Sequence, residues 1–312
     1  MPGMRWPGEA ARALGHLFIV MLGTASLVFV VLRLTGDPAM MVAPPGATLD
    51  DLAAIRRELG LDHSVGVQYV EFLRKLAVGD LAESFRYRRP ALEIVTERAA
   101  ATVQLALAAQ LLAIAVAIPL GVIAAIRRDT WLDGTLTGLA TLGQSIPHFW
   151  LGLMAIVVFA VHLGWLPTSG RGGWGHLVLP AITLSSYSMA SLTRLMRSSV
   201  LEVLGSDYIR TARAKGLSAG PVLFKHALKN ALIPVVTLTG LQIGVLLSGA
   251  VIVETVFAWP GIGRLIIEAI HTRDYPLVQA AVVLMALLFV VVNQGVDLCY
   301  RWLDPRVAGR RG

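Results

Sequence analysis

The sequence predicts an all-α integral membrane protein with six transmembrane helices. Of its 312 residues, 55% are hydrophobic, and the mean hydropathy is +0.67. Charged residues make up 15%, against about 25% in ordinary soluble domains. Six apolar stretches reach or approach the roughly 20 residues that cross a bilayer core. They cover residues 13–32, 99–126, 136–161, 177–196, 234–257 and 277–298.

The first apolar stretch has two interpretations, an uncleaved span or a cleaved signal peptide. The tripeptide Thr24-Ala25-Ser26 resembles a cleavage site. The apolar run continues past this point, however, and is too long for the hydrophobic region of a signal peptide. We therefore expect an uncleaved first span.

Basic residues in the short loops predict the orientation. One set of loops contains Arg127-Arg128 and the basic segment 204–233, whereas the short loops opposite contain only Arg171, Arg264 and Arg273. The positive-inside rule then places both termini and segment 204–233 in the cytoplasm. The predicted regions are residues 1–34 with the first helix, a periplasmic helical region at 35–97, a core with the other five helices at 98–303, and a cytoplasmic tail at 304–312.

Residues 35–97 predict a small helical cap on the outer face. Thr48 and Asp51 look like a capping box that opens a helix ending at Gly60. A second amphipathic stretch carries Tyr69 and Phe72. The periodicity leaves two roles open for this cap, packing or the docking of a partner.

Residues 258–276 form a second unusual outer segment. The tripeptide at 259–261 breaks the preceding helix, residues 262–271 predict a short amphipathic helix, and residues 274–276 predict a turn. This order favours a structured element packed against protein or water over a surface hairpin anchored in the membrane interface by its tryptophan. The candidates for a periplasmic gate or docking site are Trp259, Pro260, Gly261, Asp274 and Tyr275.

A proline within the third apolar stretch predicts a break in a membrane helix. Pro147 lacks an amide hydrogen and frees carbonyl groups in mid-span, and polar side chains beside such a break often face a cavity. Packing between helices is the alternative for each polar side chain. The candidates for lining a translocation path are Gln144, Ser145, Pro147, His148 and Gln242.

The sequence predicts no metal site and no disulfide. The seven histidines are not spaced as metal ligands, and Cys299 is the only cysteine. The spans also lack the paired acidic residues expected of a proton relay, which counts weakly against a secondary transporter.

The cytoplasmic segment predicts a short helix that a partner receives. We expect Ser206 to cap its start by accepting a backbone N–H hydrogen bond, Asp207 to complement that end, and Gly216 to end the helix. A helix of about nine residues is marginal alone in water. We expect its ends to be held at the membrane and a groove in a partner to receive it. A basic loop resting on anionic lipid is the alternative. The predicted contact face contains Tyr208, Ile209 and Ala212.

This cytoplasmic segment resembles the motif of permease subunits in binding-protein-dependent ABC importers. Arg210-Thr211-Ala212 stands at the Glu-Ala-Ala position of the motif, Gly216 matches its glycine, and Ile233-Pro234 closes it. The departures from the general pattern are similar to the dipeptide, oligopeptide, glutathione and nickel branch, which carries Arg-Thr-Ala-Arg-Ala-Lys-Gly. Further segments similar to that branch are residues 36–39, 58–62, 164–167, 226–231, 253–263 and 273–276.

The resemblance implies a type I ABC importer-like permease in the bacterial inner membrane. The implied partners are a second homologous permease, usually a different chain, two ATPase subunits, and a periplasmic or lipid-anchored solute-binding protein. ATP and magnesium would be bound by the ATPases. The implied coupling helix and its end consist of Asp207, Tyr208, Ile209, Arg210, Thr211, Ala212, Arg213, Ala214, Lys215 and Gly216.

The chain lacks the motifs of an ATPase of its own. It contains no Gly-Lys dipeptide and therefore no phosphate-binding P-loop. We expect a transport subunit with no enzymatic activity, no bound cofactor and no nucleic-acid partner, surrounded by membrane lipid. The expected solutes are short peptides or peptide-like molecules, with glutathione or a nickel chelate as the alternative. A self-sufficient secondary transporter is the alternative from another class.

Overall fold

The computed structural model describes residues 6–34, 36–44 and 46–303, so the predicted tail at 304–312 lies outside the described residues. Within these ranges the chain is helical, and its only β contact is an isolated bridge between Glu83 and Pro90. The all-α prediction is confirmed. The helices are α1 (Trp6–Leu34), α2 (Ala39–Val42), α3 (Leu49–Glu58), α4 (Val65–Ala77), α5 (Ala91–Ile126), α6 (Trp131–Ser145), α7 (His148–Ala155), α8 (Trp174–Leu204), α9 (Asp207–Ala214), α10 (Ala219–Pro221), α11 (Leu228–Val256), α12 (Ile262–His271) and α13 (Tyr275–Leu303).

Two of these helices continue as wider, π-helical turns. Residues Ile156–His162 prolong α7, and Val222–Ala227 join α10 to α11. The second junction makes one helix from Ala219 to Val256, with Pro234 inside it.

Four helices in the described part of the chain are long and apolar enough to cross a membrane. They are Leu14–Leu34, Ala91–Ile126, Ala219–Val256 and Tyr275–Val296. The bent pair formed by α6 and the prolonged α7 makes a fifth if it counts as one span. The structure therefore shows four or five apolar spans, and the predicted number of six is not confirmed.

The third predicted span is not one straight helix. The chain bends by 107° between Trp131–Ser145 and His148–His162, as in a broken span or a re-entrant loop. Ile146 has an extended backbone, with ψ of 123°, as expected for a residue that precedes proline. Pro147 follows it, so the predicted break is confirmed and its position is correct.

The fourth predicted span lies in α8, which is 31 residues long but less apolar than the other spans. Hydroxyl side chains occupy many of its buried positions. α8 packs against α6 and α11. Its polar composition therefore suits contact with other helices of the protein rather than with lipid. The buried hydroxyl residues are Thr183, Ser185, Ser188, Thr193 and Ser199.

The described chain divides into two compact units. The first contains residues up to 101 together with 260–294, and the second contains residues 102–259 together with the segment from 295 on. This division crosses the predicted regions, whose boundaries stay predictions.

The first unit contains the predicted outer cap. The Thr48 hydroxyl accepts a hydrogen bond from the Asp51 amide, and the Asp51 carboxylate accepts one from the Thr48 amide, so the predicted capping box is confirmed. The hydrogen bonds from the Thr48 amide and hydroxyl lower the pKa of Asp51. α4 then packs on α1, where Tyr69 and Phe72 lie 5.3 and 5.6 Å from Phe29, measured between ring centroids.

The core of the first unit explains the position of α12. Its residues Ile262 and Leu265 are buried with Ile94 and Val95 of α5 and with Leu277 of α13. α12 spans residues 262–271, as the sequence predicts. Its apolar face is therefore part of a protein core.

The core of the second unit depends on small residues at close helix contacts. Leu192, Met196 and Val200 of α8 pack in one cluster with residues of α5 and α11. At Gly121 of α5, an added Cβ atom would lie 2.5 Å from the Met196 Cβ atom. Glycine thus permits the approach of α5 to α8.

Candidate coupling site and outer segments

The predicted cytoplasmic helix is present as α9, which covers Asp207–Ala214. Gly216 follows it with φ of +80°, a left-handed conformation that glycine adopts at low cost. Its amide donates a hydrogen bond to the Arg213 carbonyl at 2.9 Å. The predicted end of the helix at this glycine is confirmed.

The expected capping role of Ser206 is wrong. Ser206 occupies the N-cap position, but its side chain makes no capping hydrogen bond. Its hydroxyl instead donates to the Val203 carbonyl at 2.6 Å. This hydrogen bond connects the start of α9 to the end of α8.

Ile209 faces the protein rather than a partner. Its side chain is fully buried with Val222 and Ala227, and Ala212 packs partly buried against the same cluster. The prediction that Ile209 forms the partner contact is therefore wrong. This side chain holds α9 against the π-helical turn that leads into α11.

Tyr208 is 43% exposed and is held by two residues of segment 226–231, for which the sequence predicts no contact with this helix. Its hydroxyl accepts a hydrogen bond from the Asn230 amide at 2.8 Å and donates to the His226 carbonyl at 3.5 Å. These hydrogen bonds and the Ile209 cluster give α9 a defined position on the second unit.

The outward face of α9 is polar and basic. Arg210 and Asp207 form an ion pair at 3.4 Å, but both side chains are largely exposed, so the pair contributes little stability. Phe224 of the adjacent turn is 68% exposed, which is unusual for an aromatic side chain. The exposed residues of the predicted coupling set are Asp207, Tyr208, Arg210, Thr211, Arg213, Ala214, Lys215 and Gly216.

Trp259 of the outer segment lies in the core of the second unit. It is 1% exposed, so its interpretation as a membrane-interface anchor is wrong. The Arg171 guanidinium lies 5.8 Å from its ring centroid and donates two hydrogen bonds to the Gln104 side-chain oxygen, at 3.1 and 2.7 Å. The Trp259 amide donates to the Glu254 carbonyl at 2.8 Å.

Asp274 is a buried structural acceptor in the first unit. It accepts hydrogen bonds from the Ser84 hydroxyl, from the Arg86 amide at 3.1 Å and from the Leu277 amide at 3.2 Å. The side chains of Asp274 and Tyr275 are buried. Neither residue is therefore an exposed docking contact in this structure. Pro260 and Gly261 lie in the same unit as these two residues, whereas Trp259 lies in the other unit.

The candidates beside the helix break are near α8. The Gln144 amide donates a hydrogen bond to the Ser191 hydroxyl, and a His148 ring nitrogen lies 3.3 Å from the Ser186 hydroxyl. Both side chains are half-buried. Pro147 and Ser145 are exposed, and the Ser145 hydroxyl donates to a carbonyl of its own helix.

Unlike the candidates beside the helix break, Gln242 is buried inside the second unit. Within the described part of the chain, its side-chain oxygen has no hydrogen-bond partner. This position does not fit the prediction that it faces a translocation path. Across the described residues, no group of three or more histidine, cysteine, aspartate or glutamate side chains is arranged to hold a metal ion.

Two known protein families match this chain. Residues 117–309 match the family described as binding-protein-dependent transport system inner membrane component, and residues 10–106 match the N-terminal family of the same transport systems. The chain belongs to this family. It is therefore a multi-pass permease component of the inner membrane.

Relatives along the whole chain support this assignment. The permease is 41% identical to the dipeptide transport system permease protein DppB of Alkalihalophilus pseudofirmus, over 96% of this chain and 98% of the relative. It is 42% identical to the glutathione transport system permease protein GsiC of Salmonella choleraesuis, over 95% and 97% of the two chains.

A solved structure shares the fold. A chain of the inward-facing MetNI methionine ABC transporter matches the permease with a TM-score of 0.59 and 18% identity, over 68% of this chain and 96% of that chain. The predicted membership of the ABC importer permeases is thus confirmed by the sequence matches.

Proposed function

We propose that this permease forms half of the translocation pathway of an ATP-driven importer for short peptides or peptide-like solutes. The names of its relatives support this substrate class, because one is a dipeptide permease and another is a glutathione permease. Glutathione, itself a peptide-like solute, and a nickel chelate are the alternative solutes. The chain itself hydrolyses no ATP in this proposal.

The attachment of α9 is the observation that carries the coupling mechanism. Ile209 is buried against the turn that leads into α11, and Tyr208 bonds to residues of the same helical segment. A force applied to the exposed face of α9 would therefore be transmitted directly to α11, a helix long and apolar enough to cross the membrane. The basic face would lie in a groove of an ATPase subunit.

The proposed assembly contains a second homologous permease, two ATPase subunits and a periplasmic or lipid-anchored solute-binding protein. ATP and magnesium would bind to the ATPases, because the permease has no P-loop. The closing movement of the ATPases on ATP would displace α9, and the path between the two permeases would alternate its access.

The proposed topology has six transmembrane helices and two cytoplasmic termini. α8 is long enough to cross a bilayer core, since 31 residues at 1.5 Å each span more than its thickness of about 30 Å. Its hydroxyl-rich faces would be covered by neighbouring helices. In this topology α8 and the bent pair would each cross once, and α9 would lie on the cytoplasmic side.

Reversing a charge on the exposed face of α9 tests the coupling proposal. In the complete complex in nanodiscs, we expect Arg213→Glu to lower the ATP hydrolysis stimulated by solute-loaded binding protein by about tenfold, since a charged contact contributes about this factor. A substitution of Ala212 would be less specific, because Ala212 packs against the buried cluster of Ile209 and its replacement would also change the stability of the protein.

The matched control is Arg128→Glu. Arg128 is an exposed arginine outside α9 whose ion pair with Asp129 is also exposed. We expect this variant to retain normal stimulation. Normal stimulation in the Arg213→Glu complex would contradict the coupling role of α9, and solute transport by the permease without any ATPase would contradict the whole proposal.

A further inference from the structure

A cavity of about 410 Å³ lies within the first unit. Its walls come from the end of α1, from α3 and α4, from the segment after α4 and from the start of α13. The volume falls within the range of about 300–1,000 Å³ that is usual for small-molecule sites. None of the residues singled out in α9 or at the helix break lines this cavity.

The charged residues around the cavity are balanced in sign and are not paired with one another. Arg33, Arg57 and Lys75 provide positive charge, whereas Glu58, Glu71 and Asp80 provide negative charge. Among the residues that the structure describes, no ion pair within 4 Å joins any two of these six side chains.

Neighbouring residues outside the cavity do form such a pair. Arg56 precedes Arg57 in α3 and donates two hydrogen bonds to the Asp37 carboxylate. The same helix therefore directs one arginine to a carboxylate partner and the next to the cavity. Arg57 donates to the Ala53 carbonyl and Asp80 accepts from the Ala82 amide. Neither of these bonds neutralises a charge, so the cavity can attract a ligand of mixed charge.

Aromatic side chains form the apolar part of the wall. Phe29 and Phe72 stack with their ring centroids 5.6 Å apart, and Phe85 also lines the cavity. The guanidinium of Arg33, which is half-buried, lies 5.2 Å from the Phe29 centroid. This arrangement can hold an apolar group next to a cation that binds a carboxylate.

We propose that this cavity binds a small zwitterionic solute that carries an ammonium group, a carboxylate and an apolar side chain, such as a short peptide. Arg33, Arg57 and Lys75 would bind the carboxylate, and Glu58, Glu71 and Asp80 would bind the ammonium group. The phenylalanines would contact the apolar side chain. The choice of a peptide rests on the proposed function, but the charge pattern of the ligand comes from the cavity itself.

The site can be tested by isothermal titration with the full-length permease in nanodiscs, without ATPases or binding protein. The probes are the dipeptide alanyl-phenylalanine and its N-acetylated and C-amidated forms, each of which has lost one charge. We expect saturable binding of the free dipeptide and about tenfold weaker binding of each blocked form.

Adjacent basic residues in α4 provide matched variants. Lys75 lines the cavity, whereas Arg74 does not, and both side chains are exposed, so neither substitution disturbs a core. We expect Lys75→Glu to weaken dipeptide binding by about tenfold and Arg74→Glu to leave it unchanged.

Several outcomes would overturn the proposed site. These are absence of saturable binding, equal binding of free and blocked dipeptides, and insensitivity to Lys75→Glu. If the binding protein shields Lys75 from a chemical acetylating reagent and no dipeptide binds, the cavity is a contact surface for the binding protein and not a solute site. Normal dipeptide import by the complete complex in any of these cases would show that the site fails while the proposed function holds.

Discussion

At the residue scale, the clearest structural contact in the second unit is an ion pair between the buried Asp133 and the half-buried Arg197. The Asp133 carboxylate lies near the start of α6 and accepts hydrogen bonds from two nitrogens of Arg197, at 2.6 and 2.7 Å. It also accepts one from the Asp129 amide at 3.1 Å. This bidentate geometry fixes the orientation of both side chains and connects α6 to α8.

We predict that Arg197→Ala destabilises the permease by about 1.5–3 kcal/mol, because it removes two charged hydrogen bonds from the buried Asp133 carboxylate. Denaturant unfolding of the purified chain measures the change. Arg128→Ala is the control, since it removes an exposed pair and should cost at most about 1 kcal/mol.

A double variant distinguishes the stability that the ion pair contributes from the cost of leaving the Asp133 carboxylate unpaired. Adding Asp133→Ala to Arg197→Ala should recover part of the lost stability, because no unpaired carboxylate remains. Equal stability of Arg197→Ala and Arg128→Ala would show that the pair is not a structural contact.

At the element scale, close helix approach depends on single glycines. A Cβ atom at Gly240 of α11 would lie 2.1 Å from a Val296 methyl group, and one at Gly121 would lie 2.7 Å from the Thr193 carbonyl oxygen. Neither position has room for a methyl group without movement of the helix backbones or of these neighbours.

We predict that Gly121→Ala lowers the stability of the permease by about 1–3 kcal/mol through overpacking. Gly138→Ala in α6 is the control, because an added Cβ atom there would meet no other atom within 4 Å. The control should be neutral or stabilising by up to about 1 kcal/mol, as alanine favours helix. Thermal unfolding of both variants measures the difference, and a higher midpoint for Gly121→Ala would contradict the close packing of α5 and α8.

At the scale of the whole molecule, the proposed topology places the outer cap and α9 on opposite sides of the membrane. Exposed positions are available in both regions, such as Asp50 in α3 and Arg213 in α9. Cys299 is the only native cysteine, so a Cys299→Ser background has no other thiol.

In this background, a membrane-impermeant maleimide should label Asp50→Cys in intact spheroplasts and Arg213→Cys only after permeabilisation. This result follows from the positive-inside rule and an odd number of crossings between the two positions. Labelling of both positions in intact cells would contradict the topology, and the thiol-free Cys299→Ser chain provides the background signal.

The elements that the sequence predicts correctly are those with local signals. The Thr48 capping box, the end of α9 at Gly216, the break at Pro147 and the helix at 262–271 each depend on neighbouring residues in the chain. Backbone conformation and helix ends respond to such short-range chemistry. The apolar runs likewise predict most of the membrane spans, because a bilayer selects for length and hydropathy.

The partners of side chains that are distant in the chain were decided by tertiary structure alone. The amphipathic pattern of α9 does not reveal that Ile209 packs into its own unit, nor does the outer motif reveal that Trp259 and Asp274 are buried. Each is enclosed by residues distant in the chain, as Asp274 is by Ser84. The physical reason is that periodicity identifies an apolar or polar face, whereas only the folded chain determines what covers that face.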